Sequence, residues 1–354
     1  MPQQFASDNN AGICPQALDA LIRANAEGHV SGYGDDPWTE KACTSLRELF
    51  ETDCEVFFVF NGTAANALAL AQICQPYHAI IAHALSHIEE DEAGAPTLFS
   101  GGARIVTADT ALAKLTPEAI DALMRKGRGV HSVKPRALSI TQATELGTVY
   151  SLDEVVALVD TARRHGLKVH MDGARFANAL AFLGCRPADL SWRAGVDVLC
   201  FGGVKNGLAV GEAVLFFDRD LAREFEWRVK QAGHLNSKMR LVTAPWLGLL
   251  ENGVWLENAR HANAMAQRLW ARIGSLSGVR LIAPVQSNGV FVELPVAVQA
   301  SMREKGWRFY TFLGEIGCRL MCAWDTTPAN VDRFAADLAA ATASLSPLAG
   351  RGSG

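Results

Sequence analysis

No stretch of this sequence reaches the roughly eighteen consecutive apolar residues that a membrane-spanning helix requires, so a spanning protein is not expected. The first twelve residues, MPQQFASDNNAG, lack the basic flank and apolar centre of a secretory signal, and the chain is expected in the cytoplasm. An excess of one charge is missing as well. The 33 lysines and arginines face 37 aspartates and glutamates, a net charge of −4, and they are interspersed instead of gathered into runs. Without a basic stripe, neither nucleic acid nor a membrane surface is an expected partner. The eight cysteines contain no CxxC pair, which removes the commonest zinc and redox spacings. Cys318 and Cys322, in CRLMC, fall in an apolar run where both read as core residues of a reduced protein.

What is present is apolar mass: 49% hydrophobic residues in a chain of 354, enough for a large core and for two domains or one domain with an appendage. From residue 55 short β-rich runs alternate with helical periods. EVFFVF, AIIAH, ARIVTA, RALSIT, KVHMDG and VDVLCFGG read as strands, separated by AANALALAQIC, TPEAIDALMRK, SLDEVVALVDTARRHG and ARFANALAFLG. Such alternation predicts an α/β fold with a mostly parallel sheet covered by helices on both faces, and GEAVLFF as an antiparallel neighbour. After Pro245 the pattern changes to one long helix through LGLLENGVWLENARHANAMAQRLWARI, then strands near VRLIAP, GVFVELP, WRFYTFL and RLMCAW, and a last helix from Pro328. The expected division is a large domain over 1–250 that includes an N-terminal arm, a smaller α+β domain over 251–346 and a flexible tail over 347–354.

Ligands of parallel α/β sheets bind where strands end, and three motifs stand there. NGTAAN, residues 61–66, opens a helix with unpaired N–H groups and a Thr63 hydroxyl, either an anion site or a plain Asn-Gly turn capped by Thr63. Asp172 ends the strand KVHMD, where it can orient a base, hold a metal, pair with a protonated ring nitrogen or cap the next helix. Lys205, in FGGVKNG, interrupts two apolar runs. A buried lysine tends to lose its proton and become a nucleophile toward carbonyls, although a snorkelling stem is the common alternative; the flanking glycines favour close approach of a ligand. A phosphate cradle, a strand-end acid and a sheltered amine, in that order, suit pyridoxal 5′-phosphate. A zinc site built on His83, His87, Glu90 and Asp91 is the rival, without the HExxH order.

FASDNNAG, SGYGDDPWTE, FNGTAANALAL, SHIEEDEAGAP, MDGARFANAL and FGGVKNG resemble motifs of the L-threonine aldolases, and the likeness runs from about residue 5 to 340. The resemblance implies a fold-type-I pyridoxal phosphate enzyme that cleaves L-3-hydroxy-α-amino acids to glycine and an aldehyde. It implies Lys205 as the Schiff-base lysine, Asp172 as partner of the ring nitrogen, Gly62 and Thr63 as the phosphate cradle and His87 as the stacking catalytic group, with His131 second. It also implies that Ser7, Arg175 and Arg319 hold the substrate carboxylate, with Tyr33 and Asp36 as further candidates, and that Lys230 reaches the phosphate from a neighbouring subunit in a homodimer or homotetramer. Where many of that family carry a serine before the lysine, this chain has Val204. Phe5, Tyr33 and Trp38 are candidates for the side-chain pocket. An aminotransferase of the same fold, another fold-type-I enzyme, or a pyridoxal-phosphate-binding protein without activity are the competing readings.

Overall fold

Most strands of the first two-thirds of the chain are apolar on both faces, and the structure buries the central ones that way, while strand Arg104–Ala108, at the sheet edge, is only partly covered. The computed structural model describes residues 4–127 and 129–344; the expected tail lies outside the described residues. Seven strands form one sheet: β1 (Glu55–Val59), β2 (His78–His83), β3 (Arg104–Ala108), β4 (Lys134–Thr141), β5 (Lys168–Gly173), β6 (Val198–Phe201) and β7 (Glu212–Phe216), in the order β1-β7-β6-β5-β4-β2-β3. Neighbours run parallel except around β7, which is antiparallel to both β1 and β6. Every residue of β2, β6 and β7 is buried, the mark of a sheet covered on both sides. The covering helices are specified locally. Leu152–Arg164 starts at a capping box, in which Ser151 accepts from the Glu154 N–H and Glu154 from that of Ser151. Gly62–Ile73 is apolar nearly all round and is correspondingly buried against the sheet.

One expected element breaks. The long helix after Pro245 is two helices, Arg240–Leu250 and Val254–Ile273, parted by a turn at Glu251–Gly253. Asn252 and Gly253 both take positive φ there (55° and 74°), which an Asn-Gly pair tolerates and a helix does not. Helix Val254–Ile273 then packs on both helix Phe176–Leu183 of the large sheet and helix Pro328–Ala343 of the small one, joining the two layers.

The second sheet is antiparallel, with β8 (Arg280–Leu281), β9 (Gly289–Glu293), β10 (Tyr310–Leu313) and β11 (Gly317–Met321) in the order β10-β11-β9-β8. The N-terminal arm, expected with the large domain, crosses to this sheet. The Phe5 N–H donates to the Arg308 carbonyl at 3.1 Å, the Met321 N–H to that of Phe5 at 2.8 Å, and the Phe5 ring lies among Trp307 and Phe334. Cys318 and Cys322 are buried in the same core, as expected, and the eight cysteines are free. No described helix is long and apolar enough to cross a membrane.

Helices Pro15–Ala26 and Arg240–Leu250 meet through backbone at Gly248, where an added Cβ would run into the Gln16 carbonyl. Gly248→Ala is therefore expected to destabilise by a net ~1–2 kcal/mol, the overpacking outweighing the ~1 kcal/mol that alanine gains in a helix. Urea denaturation measures it.

Candidate active site

The C-terminal ends of β1, β2, β4, β5 and β6 share one edge of the sheet, and β10 and β11 close over it, leaving a cavity of about 540 Å³. Lys205 enters from the turn after β6. The glycines around it let the turn pack closely on the protein. A Cβ at Gly202 would strike the backbone of Ala174 and one at Gly203 would strike Leu208 and Trp246, so the turn is pressed onto its own scaffold. Burial, and then the charge of Arg175, lower the Lys205 amine below its ordinary value of 10.5, with Asp8, Asp172 and Glu212 opposing. Gly62 differs, since its α-carbon faces open space in the cavity wall. Helix Gly62–Ile73 is capped by Asn61, whose Oδ1 accepts from the Ala64 N–H at 2.9 Å; the expected cap, Thr63, is half-buried inside the first turn.

Asp172 is buried where β5 ends. Its Oδ1 accepts from the Ala174 N–H at 2.9 Å and its Oδ2 from Asn66 Nδ2 at 2.8 Å. Burial alone would raise this carboxyl, but His87, Lys205 and the Ala174 N–H hold it below its usual range, so it stays ionised. The same Asn66 nitrogen donates to Glu92 Oε1 at 2.8 Å, and that oxygen also meets His87 Nδ1 at 2.8 Å. The Glu92 bond raises His87 above 6.5 against the burial that would lower it. Burial raises Glu92 as well. Glu145 completes the surround: its Oε1 accepts from the His87 N–H at 3.1 Å, and burial pushes its carboxyl up to about 7. Ligand atoms of His87, Glu92 and Asp172 lie within 4.8 Å of one another, but the Asn66 amide nitrogen bridges the two carboxylates. The rival zinc grouping does not engage His83, which ends β2 with both its ring nitrogens meeting backbone, at Thr110 and Leu85.

Three arms of the chain meet on the carboxylate side. Arg175 donates through Nε and Nη2 to Asp8 at 2.7 and 2.9 Å, and Asn288 donates to the same carboxylate at 2.9 Å. Burial would raise Asp8, but Arg175 more than offsets it and keeps the carboxyl low. Arg319 lies over the rings of Tyr310 and Phe312 with its Nε buried and unpartnered, and Ser7 stands with it in the cavity wall. The apolar wall consists of Leu85, Phe291, Phe312 and Met321. Of the aromatics expected there, Phe5 is in the small core and the Trp38 indole donates to Glu27.

The structure thus brings together Lys205, Asp172, His87, Gly62, Ser7, Arg175 and Arg319. It sets the others apart. Asp36 spends its carboxylate capping helix Pro37–Leu49, accepting from the N–H groups of Trp38 and Thr39 and from the Thr39 hydroxyl. The Tyr33 ring, exposed, lies under the Lys230 ammonium at 4.9 Å on the outer surface. His131 occupies an exposed turn before β4, about 23 Å along that strand from the cavity residue Thr141. Asp8, Glu92, Glu145 and Asn66 join the site with no local signal of their own, although Asp8, Glu92 and Asn66 stand inside the quoted motifs. Asp8 meets Arg175 across 167 positions of chain, and Glu92 meets Asn66 across 26.

Residues 4–297 match the family model described as Beta-eliminating lyase. A low specificity L-threonine aldolase from a Pseudomonas species is 56% identical over 96% of this chain and 97% of its own length. One from Pseudomonas aeruginosa is 55% identical over 95% and 97%. The chain belongs to the L-threonine aldolase family. A solved structure of Leishmania major threonine aldolase superposes with a TM-score of 0.89 at 31% identity, covering 95% of this chain and 98% of that one. The fold expected of fold-type-I threonine aldolases is therefore the fold observed.

Asp8→Asn would leave the Arg175 guanidinium buried beside an uncharged partner, an expected loss of about 3–5 kcal/mol in denaturant unfolding at neutral pH. Because the folded carboxyl is held low, the wild-type contribution is complete above the unfolded value of 3.8 and is lost as pH falls through the lower folded value. The difference between wild type and variant should accordingly shrink only in acid.

Proposed function

We propose that this protein binds pyridoxal 5′-phosphate and cleaves L-3-hydroxy-α-amino acids, with L-threonine, L-allo-threonine and L-phenylserine as substrates, to glycine and an aldehyde, and joins the two in reverse. The observation that carries this reading is the convergence of Lys205, Asp172, His87 and Arg319 on one cavity. The residues fit the cofactor. Lys205 offers an amine with a depressed proton affinity, Asp172 a buried ionised carboxylate, and Gly62 an open helix start. Asn66 Oδ1 and Arg319 Nε are buried without partners in the chain, as expected of groups that await a bound molecule. When bound, pyridoxal 5′-phosphate supplies an electron sink for the pair released as the Cα–Cβ bond opens.

The chain's own residues supply the rest. Arg319 and Ser7 hold the substrate carboxylate, and Arg175, engaged by Asp8 through Nε and Nη2, keeps Nη1 free to join them. His87 gives its Nδ1–H to Glu92 and so presents Nε2 as the acceptor for the β-hydroxyl proton. Tyr33 and Lys230, outside this cavity, serve that of a neighbouring copy in a homodimer or homotetramer; the exposed Trp227 on the same helix as Lys230 supports a covered surface there. We place the protein in the cytoplasm, where eight unpaired cysteines stay reduced. The layers divide near residue 250, with helix Val254–Ile273 as the joint.

The test is a visible spectrum with and without borohydride, followed by mass spectrometry of Lys205. Wild type should be yellow and labelled at Lys205, and Lys205→Ala should hold no covalent cofactor. Release of glycine and aldehyde from L-threonine is the expected turnover; keto-acid formation instead would make it an aminotransferase. His87→Asn should lower kcat about 10²–10⁴-fold. The wild-type kcat/KM should rise through a pKa above 6.5, and Glu92→Gln, which removes the bond that raises His87, should move that limb to lower pH.

A further inference from the structure

Glu212, the first residue of β7, is an acid at the head of an otherwise apolar buried strand, EAVLF. It lies outside the cavity wall, and the reaction just described does not use it. An isolated buried carboxyl is costly, and the surrounding strand gains nothing from it. Its Oε2 accepts from the Gly203 N–H at 2.5 Å. Gly203 is the residue from which the turn that carries Lys205 starts. Val204, with a hydrocarbon side chain, has no polar group of its own to fix that turn.

We infer that Glu212 is a positioning residue for Lys205, its buried carboxyl gripping the Gly203 N–H and so setting where the amine stands in the cavity. This inference rests on the reading of Lys205 as the amine that takes the cofactor aldehyde. The anchor is firm at both ends. Glu212 pairs in register with Val59 of β1, and the Gly211 N–H donates to the Phe60 carbonyl at 3.0 Å, so the carboxyl springs from sheet. Gly203 is wedged against Leu208 and Trp246, so the turn cannot slide. Glu212 also faces Lys205 electrostatically. The other charged groups around that amine are Arg175, Asp8, Asp172 and His87. Burial pushes the Glu212 carboxyl up to about 7, so above neutral pH it adds a negative charge that helps Lys205 keep its proton.

The test uses the full chain freed of cofactor and treated with pyridoxal and borohydride. Condensation of an amine with the aldehyde expels water, and hydride from borohydride fixes the adduct, which mass spectrometry counts at each lysine. Wild type should label at Lys205 first; a wild type that does not would refute the reading of Lys205, and this inference with it. At high pH, where the Lys205 amine is unprotonated in both proteins, Glu212→Ala, folded by circular dichroism and thermal melt, should label Lys205 about tenfold more slowly, the consequence of losing the bond to a charged acceptor, while the other lysines keep their rates. Wild-type labelling at Lys205 in that variant overturns the inference. If Glu212→Ala does not fold, Glu212→Gln decides. It keeps an acceptor for the turn but not the charge, so its Lys205 rate at high pH should stay within about threefold of wild type while the pH midpoint of labelling falls, and an unmoved midpoint overturns the inference.

Discussion

Burying charge is the constraint around which this molecule is built. Lys205, Arg175, Arg319 and Asp172 line the cavity, and the buried carboxylates of Asp8 and Glu92 stand behind its wall. Each ionised group there would be costly alone, and the structure meets the cost with partners drawn from different parts of the chain. Arg175 follows β5, its carboxylate partner Asp8 belongs to the N-terminal arm, and Asn288, which steadies that carboxylate, immediately precedes β9 of the small sheet. Asp172 and Glu92 share the amide of Asn66 on the first buried helix. The apolar sheet makes the region dry, dryness makes the pairings strong, and the pairings fix the aim of the side chains that face the cavity.

The same balance gives Lys205 and His87 opposite displacements from their ordinary values. The lysine loses affinity for its proton because burial and Arg175 outweigh the surrounding carboxylates. The histidine gains affinity because its bond to Glu92 outweighs burial. A single cavity thus holds an amine with lowered proton affinity and an imidazole with raised proton affinity, and the difference lies in which neighbours each one has.

Much of this organisation is legible in the amino-acid order. The strand and helix alternation from residue 55 onward is readable because most strands are apolar on both faces and each connection carries turn or capping chemistry, as at Ser151. Lys205, Asp172 and Gly62 are readable because each sits at a strand end, where a parallel sheet places its ligands. Pairings are not readable. Nothing local in FASDNNAG tells that Asp8 answers Arg175, or in SHIEEDEAGAP which acid will hold His87, because those choices are made by residues a hundred or more positions away or by the way a short helix is docked. One local inference is displaced by tertiary structure. The helical period through LGLLENGVWLE is real on both sides of an Asn-Gly turn that splits it. His131 is placed by the strand it precedes, which carries it to the far end of the sheet within this chain.

The docking of Phe5 beside Trp307 and Phe334 has a consequence for how the molecule comes into being. On the ribosome residue 5 emerges about three hundred residues ahead of Trp307 and Phe334, so the arm, and the Asp8 carboxylate it carries, stay undocked until those rings have been made. Docking the arm closes a long loop, an entropic cost that is met only once the small core is there to receive it.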